Sequence, residues 1–399
     1  MGMERKQMQG LPAIGFDAKR AAYNGTGLGN YSRFVIEGLA EAMEAGATDG
    51  NAPLYLVAAR KKNKPLSAAY QQLLERYPQR LIPLAPKGFT AKRLPSLWRR
   101  YDMGRTLTQA GIGLYHGLSN ELPVGLAQRG IRSVVTIHDL IFLVCPQYYK
   151  PIDRLIYTIK AKHACKRADR ILAVSECTKR DIVRYFGTAP DKIDVIYQGC
   201  EPKYAENPGP SATTAVRRRY GLPEAFLLFV GSIEERKNLG IVVEALACLR
   251  ETHPALHLVA VGKRTPYTAR VEARAAALGL QDRLHCLHGV SDQDLRALYH
   301  AARIFVYPSR YEGFGIPIVE AIHAGLPVIA ATGSCLEEAG GPACRYISPD
   351  DAPAWAEAIA GLLSNADTRA RIVTEAQAYV RRFDRAAVTQ QLITLYKSL

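Results

Sequence analysis

Short apolar runs alternate with amphipathic helical stretches along the whole chain, and this alternation limits the possible folds more than any other feature. The apolar runs are nearly continuous, which is typical of strands buried on both faces of a parallel sheet. Strands that alternate with helices predict an α/β fold with doubly wound parallel sheets. A chain of 399 residues is long enough for two such domains at about 150 to 200 residues each.

The predicted elements follow this alternation in both halves. In the first half the predicted strands are Ala13–Asp17, Leu54–Ala59, Leu114–His116, Ser133–His138, Arg170–Val174 and Asp194–Tyr197. In the second half they are Phe226–Val230, Leu256–Val261, Leu284–Leu287, Ile304–Tyr307 and Pro327–Ala330. Predicted helices between them include Leu28–Ala42, Arg154–Arg167, Leu239–Arg250 and Asp292–Ala302.

Residues 198–214, QGCEPKYAENPGPSATT, are rich in Pro, Gly and Ser and show little periodicity. We interpret this stretch as an interdomain linker. It predicts two Rossmann-like domains, residues 1–205 and 206–380, and a C-terminal helix within 381–399 that packs back on the first domain. Ligands of open α/β sheets bind beyond the carboxyl ends of the strands, so we expect a cleft between two facing domains.

Positive charge is concentrated in the first half of the chain. Residues 1–200 hold 30 Lys and Arg against 16 Asp and Glu, whereas residues 201–399 hold 22 against 21. A basic region confined to one part of the chain suggests an anionic surface met from one side. Because no nucleic-acid-binding module and no stacking pattern of aromatic residues is visible, we expect no nucleic-acid partner.

The eight cysteines contain no Cys-x-x-Cys pair and lie mostly in apolar surroundings. We therefore expect reduced thiols, neither a disulfide framework nor a zinc site. The N-terminus, MGMERKQMQGLPAIGFD, lacks the apolar region of a signal peptide, and no apolar run approaches the ~20 residues that span a bilayer. The expected location is cytoplasmic.

The most informative local pattern is SRYEGFGIPIVEA at residues 309–321, after a predicted buried strand. Glycines beside Glu312 precede a helix with Pro317 near its start, a favoured place for proline. Free amides at such a helix start suit a phosphate, and the carboxylates of Glu312 and Glu320 suit sugar hydroxyls. The same pattern is compatible with two solvated glutamates in an ordinary strand–turn–helix unit.

A second pattern, GSIEERKN at residues 231–238, follows the strand that ends at Val230. Arg236 and Lys237 precede a predicted helix, and adjacent cations of these two types suit a diphosphate. The alternative is an exposed basic turn.

Two further segments of the first half could face a ligand. Residues 25–30, GTGLGN, are too far from the preceding strand and have the wrong spacing for a dinucleotide fingerprint, so we exclude NAD binding. This loop either closes over a phosphate or sugar or is simply flexible. His138, at the end of a predicted buried strand, either points into the cleft or is a hydrogen-bonded core histidine. Ser291 and Ser175 are interpreted as helix N-caps.

Taken in order along the chain, these segments resemble the retaining glycosyltransferases of family 4, which have the GT-B fold. The resemblance rests on the pattern from Glu312 to Ala330, on LHGVS at residues 287–291, on ILAVSECTKR at residues 171–180, and on VIYQG at residues 195–199. It implies transfer of a sugar, with retention of its anomeric configuration, from a nucleotide-diphospho-sugar. The RKN sequence at residues 236–238 favours the branch of bacterial mannosyltransferases of surface polysaccharides, including lipopolysaccharide, with GDP-mannose as donor.

The resemblance also implies roles for individual residues. Arg236 and Lys237 would grip the diphosphate, Glu320 the ribose, and Glu312 the donor sugar. The amides of Gly313, Phe314 and Gly315 would assist, His138 would lie beside the donor sugar, and Gly27 would close the phosphate side. Gly231, His288, Gly289 and Val290 complete the expected donor site. At position 232 a serine stands where many members have an arginine, and Arg236 is expected to replace that guanidinium.

Of these residues, His138, Glu312, Arg236 and Lys237 are expected to take part in catalysis, with no cofactor beyond the nucleotide-sugar co-substrate and no metal. Cations and oriented amides would stabilise the charge growing on the leaving diphosphate. A retaining glycosidase would need two carboxyls about 5 Å apart and would leave the basic loop without a purpose. A nucleotide-sugar epimerase, a phosphorylase and a non-catalytic nucleotide-sugar-binding protein remain as alternatives.

The expected acceptor is a glycan or a lipid-linked glycan, handled by the first domain. Residues 87–105, KGFTAKRLPSLWRRYDMGR, combine six basic residues with Phe89, Leu94, Leu97 and Trp98. A cationic stretch with an aromatic anchor suits an anionic membrane. We therefore expect peripheral docking on the inner face of the membrane through residues 60–105, although Pro95 interrupts any long helix there. The alternative is a solvated basic face.

Overall fold

The chain folds into two compact units, seen in a computed structural model that describes residues 10–47, 52–58, 65–85, 93–94 and 97–399. The first unit runs to Gly199 and includes Arg385–Leu399, and the second is Cys200–Asp384. The C-terminal segment is thus part of the first unit. The expected boundaries at residues 205 and 380 lie a few residues from these changes of unit.

Among the described residues, the first unit is built on a parallel sheet of seven strands in the order β3-β2-β1-β4-β5-β6-β7. The strands are β1 (Ile14–Asp17), β2 (Leu54–Val57), β3 (Leu81–Leu84), β4 (Leu114–Gly117), β5 (Arg132–Ile137), β6 (Arg170–Ala173) and β7 (Ile193–Val195). The strand order reverses between β1 and β4, which is where doubly wound sheets form ligand sites.

Helices cover both faces of this sheet, as parallel strands require. They are α1 (Lys19–Tyr23), α2 (Gly27–Glu44), α3 (Ala68–Arg76), α4 (Met103–Gln109), α5 (Ile141–Val144), α6 (Pro151–Arg167) and α7 (Glu176–Phe186). A π-helical turn, Trp98–Asp102, leads directly into α4. Ser175 caps α7 by accepting a hydrogen bond of 3.0 Å from the Thr178 amide, as predicted.

Among the described residues, the second unit repeats this plan with six parallel strands in the order β10-β9-β8-β11-β12-β13. The strands are β8 (Phe226–Val230), β9 (His257–Val261), β10 (Leu284–Leu287), β11 (Ile304–Tyr307), β12 (Val328–Ala331) and β13 (Arg345–Ile347). The reversal lies between β8 and β11, which are paired directly. Loops that follow these two strands therefore meet at one point of the sheet edge.

The helices of the second unit lie between these strands and after the last one. They are α8 (Gly209–Tyr220), α9 (Leu239–Cys248), α10 (Pro266–Ala277), α11 (Asp292–Ala301), α12 (Ile316–His323), α13 (Leu336–Gly340), α14 (Ala352–Ser364) and α15 (Ala366–Val380). The predicted N-cap Ser291 accepts the Asp294 amide at 3.1 Å. None of the helices in the described part of the chain is both long and apolar enough to cross a membrane.

The predicted α/β class with doubly wound parallel sheets is confirmed, and the sequence missed two strands. Both β3 and β13 are edge strands, so they pair on one side only. β3 has Pro83 in its middle and two exposed residues, and β13 has only three residues. Neither shows the continuous apolar run on which the strand predictions relied.

The stretch of residues 198–214 that was predicted to be a linker is largely folded into the second unit. Residues 200–204 belong to the second unit, where Cys200 donates its amide to the Phe383 carbonyl and the Tyr204 ring lies 5.6 Å from the Tyr299 ring. Helix α8 begins at Gly209, inside the Pro- and Gly-rich stretch. Proline is compatible with the first turn of a helix because the amide it lacks would have no helical partner there.

The C-terminal helix α16 (Arg385–Lys397) packs on α2 within the first unit. Arg385 forms ion pairs with Glu37 at 3.3 Å and Glu41 at 3.4 Å. The Tyr396 hydroxyl lies 2.6 Å from Nδ1 of the buried His116. The two helices approach closely at Gly38, where an added Cβ would lie 2.3 Å from Thr389 Oγ1.

Gly38→Ala should lower the melting temperature, because the methyl group cannot fit against Thr389. We expect a loss of roughly 1–3 kcal/mol from overpacking. The matched control is Gly361→Ala in α14, where the added Cβ meets nothing within 4 Å and helix propensity favours Ala by up to about 1 kcal/mol. Calorimetry of both variants should show shifts of opposite sign, and equal shifts would contradict the packing of α16 on α2.

Candidate active site

Arg236, Lys237 and Glu312 form a single cluster in the second unit. Lys237 Nζ lies 2.7 Å and an Arg236 guanidinium nitrogen 2.9 Å from the same carboxylate oxygen, Oε1 of Glu312. The three side chains are only 11 to 13% exposed. The two cations follow β8 and the carboxylate follows β11, so the reversal of strand order brings residues 75 positions apart into contact.

Two hydroxyl groups complete the contacts of Glu312 Oε1. Ser309 Oγ donates to it at 2.8 Å and Tyr307 Oη at 3.2 Å. Burial alone would raise the pKa of Glu312, but the charges of Lys237 and Arg236 and the hydrogen bonds from Lys237 and Ser309 lower it to about 2. The carboxylate is therefore ionised at every physiological pH and holds both cations in place.

Glu312 also raises the pKa of Arg236 against the effect of burial, and Glu234 adds to this. Glu234 contacts the other guanidinium nitrogen at 2.7 Å but is 43% exposed. Two carboxylates thus balance two cations in this state. Because Glu234 is partly in water, an incoming anion can replace it at little cost.

The backbone around Lys237 is shaped by Gly231, which has a φ of +151°. A Cβ at this position would lie 3.2 to 3.3 Å from the last atoms of the Lys237 side chain. Glycine therefore lets Lys237 lie flat against the loop that follows β8. Gly262 approaches the same loop so closely that no side chain fits at this position, because an added Cβ would lie 1.8 Å from Gly231 O.

Residues 313–315, which lead from Glu312 into α12, are two glycines and one buried phenylalanine. Gly315, the N-cap, has a φ of +120° and lies against Leu336. The Phe314 ring is buried and meets the Phe383 ring edge-on at 5.2 Å, so it packs within the second unit. Cys335 Sγ lies 3.0 Å from the carbonyl oxygens of both Glu312 and Phe314 and fixes the turn.

Glu320 lies further along α12 and is 9% exposed. Its Oε2 accepts a hydrogen bond of 2.7 Å from Tyr299 Oη. Burial raises the pKa of Glu320 to about 6, although hydrogen bonds from Tyr299 and Tyr204 oppose the shift. Its contacts are with these tyrosines, so the structure does not bring Glu320 into the Glu312 cluster.

The predicted loop His288–Gly289–Val290 is connected to the cluster only indirectly, through Gly262 and Gly231. His288 Nδ1 lies 2.6 Å from the Gly262 carbonyl oxygen and so donates to it. Gly262 in turn adjoins Gly231. His288 and Gly289 are exposed and Gly289 has a φ of +67°.

His138 belongs to the first unit, directly after β5, and is 5% exposed. Nε2 lies 2.8 Å from the Leu118 carbonyl oxygen, so this nitrogen carries the proton. Nδ1 accepts from the Gln198 amide at 3.0 Å. Burial lowers the pKa of His138 to about 4. The ring is thus neutral at physiological pH and hydrogen-bonded as a core histidine would be.

Gly27, also in the first unit, is the first residue of α2 and is exposed. A Cβ there would meet nothing within 4 Å. The start of the 18-residue helix α2 is therefore open to solvent at Gly27, and a helix start of this kind suits an anion.

Sequence reasoning missed the hydroxyl groups of the site and Cys335. Ser309 begins the pattern recognised at residues 309–321, and Tyr307 ends the predicted strand before it. Their closeness to Glu312 in the chain was a usable signal. Tyr299 and Tyr204 come from other elements. Tyr204 lies in the stretch interpreted as a linker, so nothing in the sequence indicated its contact with Glu320.

The raised pKa of Glu320 predicts a specific dependence of stability on pH. Because the folded protein holds this proton more tightly than the unfolded chain, stability should fall as pH rises from 4.5 towards 6. Glu320→Gln removes the buried charge and should stabilise the protein at pH 7.5 by roughly 2 kcal/mol. The gain should vanish near pH 4.5.

Denaturant unfolding at the two pH values tests this. Glu357→Gln, on an exposed position of α14, is the matched control and should show no such difference. A Glu320→Gln protein that is less stable than the wild type at pH 7.5 would show that the carboxylate is not destabilised by burial.

Two family models match the chain. "Glycosyltransferase Family 4" matches residues 53–204, and "Glycosyl transferases group 1" matches residues 214–379. Among similar curated proteins, O-antigen chain mannosyltransferase B of Escherichia coli is 33% identical over 72% of this chain and 74% of its own length. O-antigen chain mannosyltransferase RfbU of Salmonella typhimurium is 28% identical over 63% of this chain and 65% of its own length.

Solved structures show the same fold. Sucrose-phosphate synthase of Thermosynechococcus elongatus has a TM-score of 0.75 and 23% identity, covering 97% of this chain and 98% of that chain. HepE of Anabaena, solved with UDP-glucose, has a TM-score of 0.74 and 19% identity, covering 98% of this chain and 100% of that chain. Together with the two family models, these similarities confirm the resemblance seen in the sequence: the chain belongs to the family 4, group 1 glycosyltransferases and has the GT-B fold.

Proposed function

We propose that this glycosyltransferase moves mannose from GDP-mannose, with retention of configuration, to a glycan or lipid-linked acceptor of a cell-surface polysaccharide. The observation that supports this best is the pair of cations, Arg236 and Lys237, gathered on one carboxylate beside the start of α12. The similarity to the O-antigen mannosyltransferases of Escherichia coli and Salmonella typhimurium supports mannose as the sugar and a surface polysaccharide as the product.

Arg236 and Lys237 are suited to a diphosphate because they are already held in place before it binds. The guanidinium supplies a planar fork and the ammonium a point charge. Fixing them on Glu312 removes most of the conformational entropy that two long side chains would lose on binding. Their charge then acts on the leaving diphosphate, where negative charge grows in the transition state.

Glu312 serves the donor sugar in this proposal with its second oxygen, Oε2. The four donors described above all contact Oε1. Oε2 and the amides of Gly313 to Gly315 are assigned to the sugar hydroxyls. Glu320 is assigned to the ribose hydroxyls, which would replace the tyrosine hydroxyls as hydrogen-bond donors.

In the transfer, the bond between the anomeric carbon and the diphosphate oxygen breaks. The acceptor hydroxyl forms the new bond on the same face and gives its proton to an oxygen of the leaving phosphate. No protein nucleophile is needed. His138 and Gly27 are kept as donor-side residues, as the resemblance implies, with His138 acting as a neutral ring because its pKa is about 4.

The donor is tested by screening nucleotide sugars for thermal stabilisation and slow hydrolysis. GDP-mannose should stabilise the protein most and be hydrolysed to GDP. Equal responses to all nucleotide sugars would argue against the assigned donor, and binding without hydrolysis or transfer would favour a non-catalytic nucleotide-sugar-binding protein.

Lys237→Ala should lower turnover more than donor affinity, because the charge on the diphosphate is larger in the transition state than in the bound donor. We expect kcat to fall on the order of 100-fold and the donor Kd to rise less than tenfold. Arg371→Ala, which removes a 60% exposed cation of the same unit, is the control and should leave both unchanged. Normal turnover in Lys237→Ala would remove this residue from the chemistry.

The reaction should continue in EDTA, since Arg236, Lys237 and the helix amides can neutralise the leaving diphosphate without a metal. Nuclear magnetic resonance of the product should show the α-anomer, the configuration of the donor. Loss of activity in EDTA that a divalent cation restores would overturn the metal-independent mechanism. A β-linked product would overturn retention.

A further inference from the structure

Helix α6, Pro151–Arg167, carries its large apolar side chains on the outside of the protein. Exposed fractions are 59% for Ile152, 56% for Leu155, 41% for Ile156 and 50% for Ile159. The residues that α6 buries are small, namely Ala161, Ala164 and Cys165. A surface helix of a folded domain ordinarily does the reverse.

The four exposed residues form one stripe. Positions 152, 155, 156 and 159 are spaced three and four apart, so they share one face of the helix. Single exposed apolar residues are common, but a contiguous group of this size marks an interaction surface. We call these four residues the α6 stripe.

Positive charge surrounds the α6 stripe. Lys150, Lys162, Lys166 and Arg167 are exposed at the ends and flanks of α6, and Asp153 is the only acidic residue of this helix. An apolar face edged by lysine and arginine is typical of helices that lie in the interface of an anionic bilayer.

The segment of residues 97–101, which shares a cavity with α6, also exposes apolar side chains. Leu97 is 49% and Tyr101 is 54% exposed. Leu97 and Arg100 line a cavity of about 230 Å³ that is also lined by Lys160 and His163 of α6. The two exposed segments thus flank one cavity near the carboxyl ends of β1 and β4, whose wall includes the further cations Lys19 and Arg99.

The structure corrects the docking segment expected from the sequence. Trp98, the expected aromatic anchor, is 1% exposed. Arg99 is 14% exposed and forms ion pairs with Asp17 and Glu121. Neither is available to a membrane. Lys87, Phe89, Lys92 and Pro95 lie outside the described residues.

We propose that the α6 stripe and its flanking lysines dock this protein on an anionic phospholipid surface. The apolar side chains enter the acyl boundary and the cations meet the lipid phosphates. A second copy of the chain is a poorer occupant, because two identical faces would bring the same positive charges together. The proposal rests on the proposed function only in placing the enzyme where lipid-linked acceptors are found.

Co-sedimentation with vesicles tests the docking. Phosphatidylcholine vesicles are compared with vesicles that contain phosphatidylglycerol, at low and high salt. The wild type should bind the anionic vesicles, and salt should weaken the binding. Ile152→Ser/Leu155→Ser/Ile159→Ser should reduce the partition coefficient by at least about tenfold. Lys150→Ser/Lys162→Ser/Lys166→Ser should reduce it by about tenfold or more on anionic vesicles only.

The matched control is Leu66→Ser/Ile82→Ser, which changes two apolar residues of the same unit that are each 37% exposed. It should bind as the wild type does. Circular dichroism and hydrolysis of the nucleotide-sugar donor in solution should be unchanged in all three variants. These readouts separate loss of docking from loss of fold or of the proposed activity.

Absence of wild-type binding to anionic vesicles would overturn the proposal, as would a stripe variant that binds like the wild type. Sedimentation velocity measures whether the chain forms a dimer through the α6 stripe. A wild-type dimer that the stripe variant converts to a monomer, with no vesicle binding, would make the stripe an interface between copies of the chain and would also overturn it. None of these results would affect the assignment as a glycosyltransferase if donor hydrolysis persists.

Discussion

The carboxylate of Glu312 is the constraint on which the rest of the candidate site depends. Two neighbouring cations in a largely buried loop repel each other and lose hydration, and each needs a nearby negative charge. Glu312 supplies it to both Arg236 and Lys237 through one oxygen. The sheet makes this possible, because β8 and β11 are adjacent where the strand order reverses. The strand order thus explains how the carboxylate reaches both cations, and the ion pairs explain how two cations can lie in a largely buried loop.

The two glutamates of α12 and its preceding turn have opposite environments. Cations lower the pKa of Glu312 to about 2, whereas burial raises that of Glu320 to about 6. The ionised carboxylate of Glu312 is stabilised by its surroundings, whereas the ionised carboxylate of Glu320 lowers the stability of the fold. The partners of this buried carboxylate are tyrosine hydroxyls, and the ribose of the proposed donor would supply the same kind of hydrogen-bond donor.

Much of the fold and part of the site could be predicted from the sequence, because strands buried on both faces and glycine-rich turns leave strong local patterns. Edge strands such as Leu81–Leu84 escaped because pairing, not apolar character, defines them. The contacts of Glu320 with Tyr204 and Tyr299 depend on tertiary structure. Trp98 and α6 show a further limit: periodicity reveals an apolar face, but only packing shows whether that face points inwards.

The most direct test of the central claim is calorimetric binding of a nucleoside diphosphate and the corresponding monophosphate to the wild type and to Arg236→Gln/Lys237→Gln. The two cations are assigned to the diphosphate, so the wild type should prefer the diphosphate. The double variant should lose that preference and keep its affinity for the monophosphate within a few-fold. An unchanged preference in the double variant would contradict the claim that Arg236 and Lys237, held by Glu312, recognise the diphosphate.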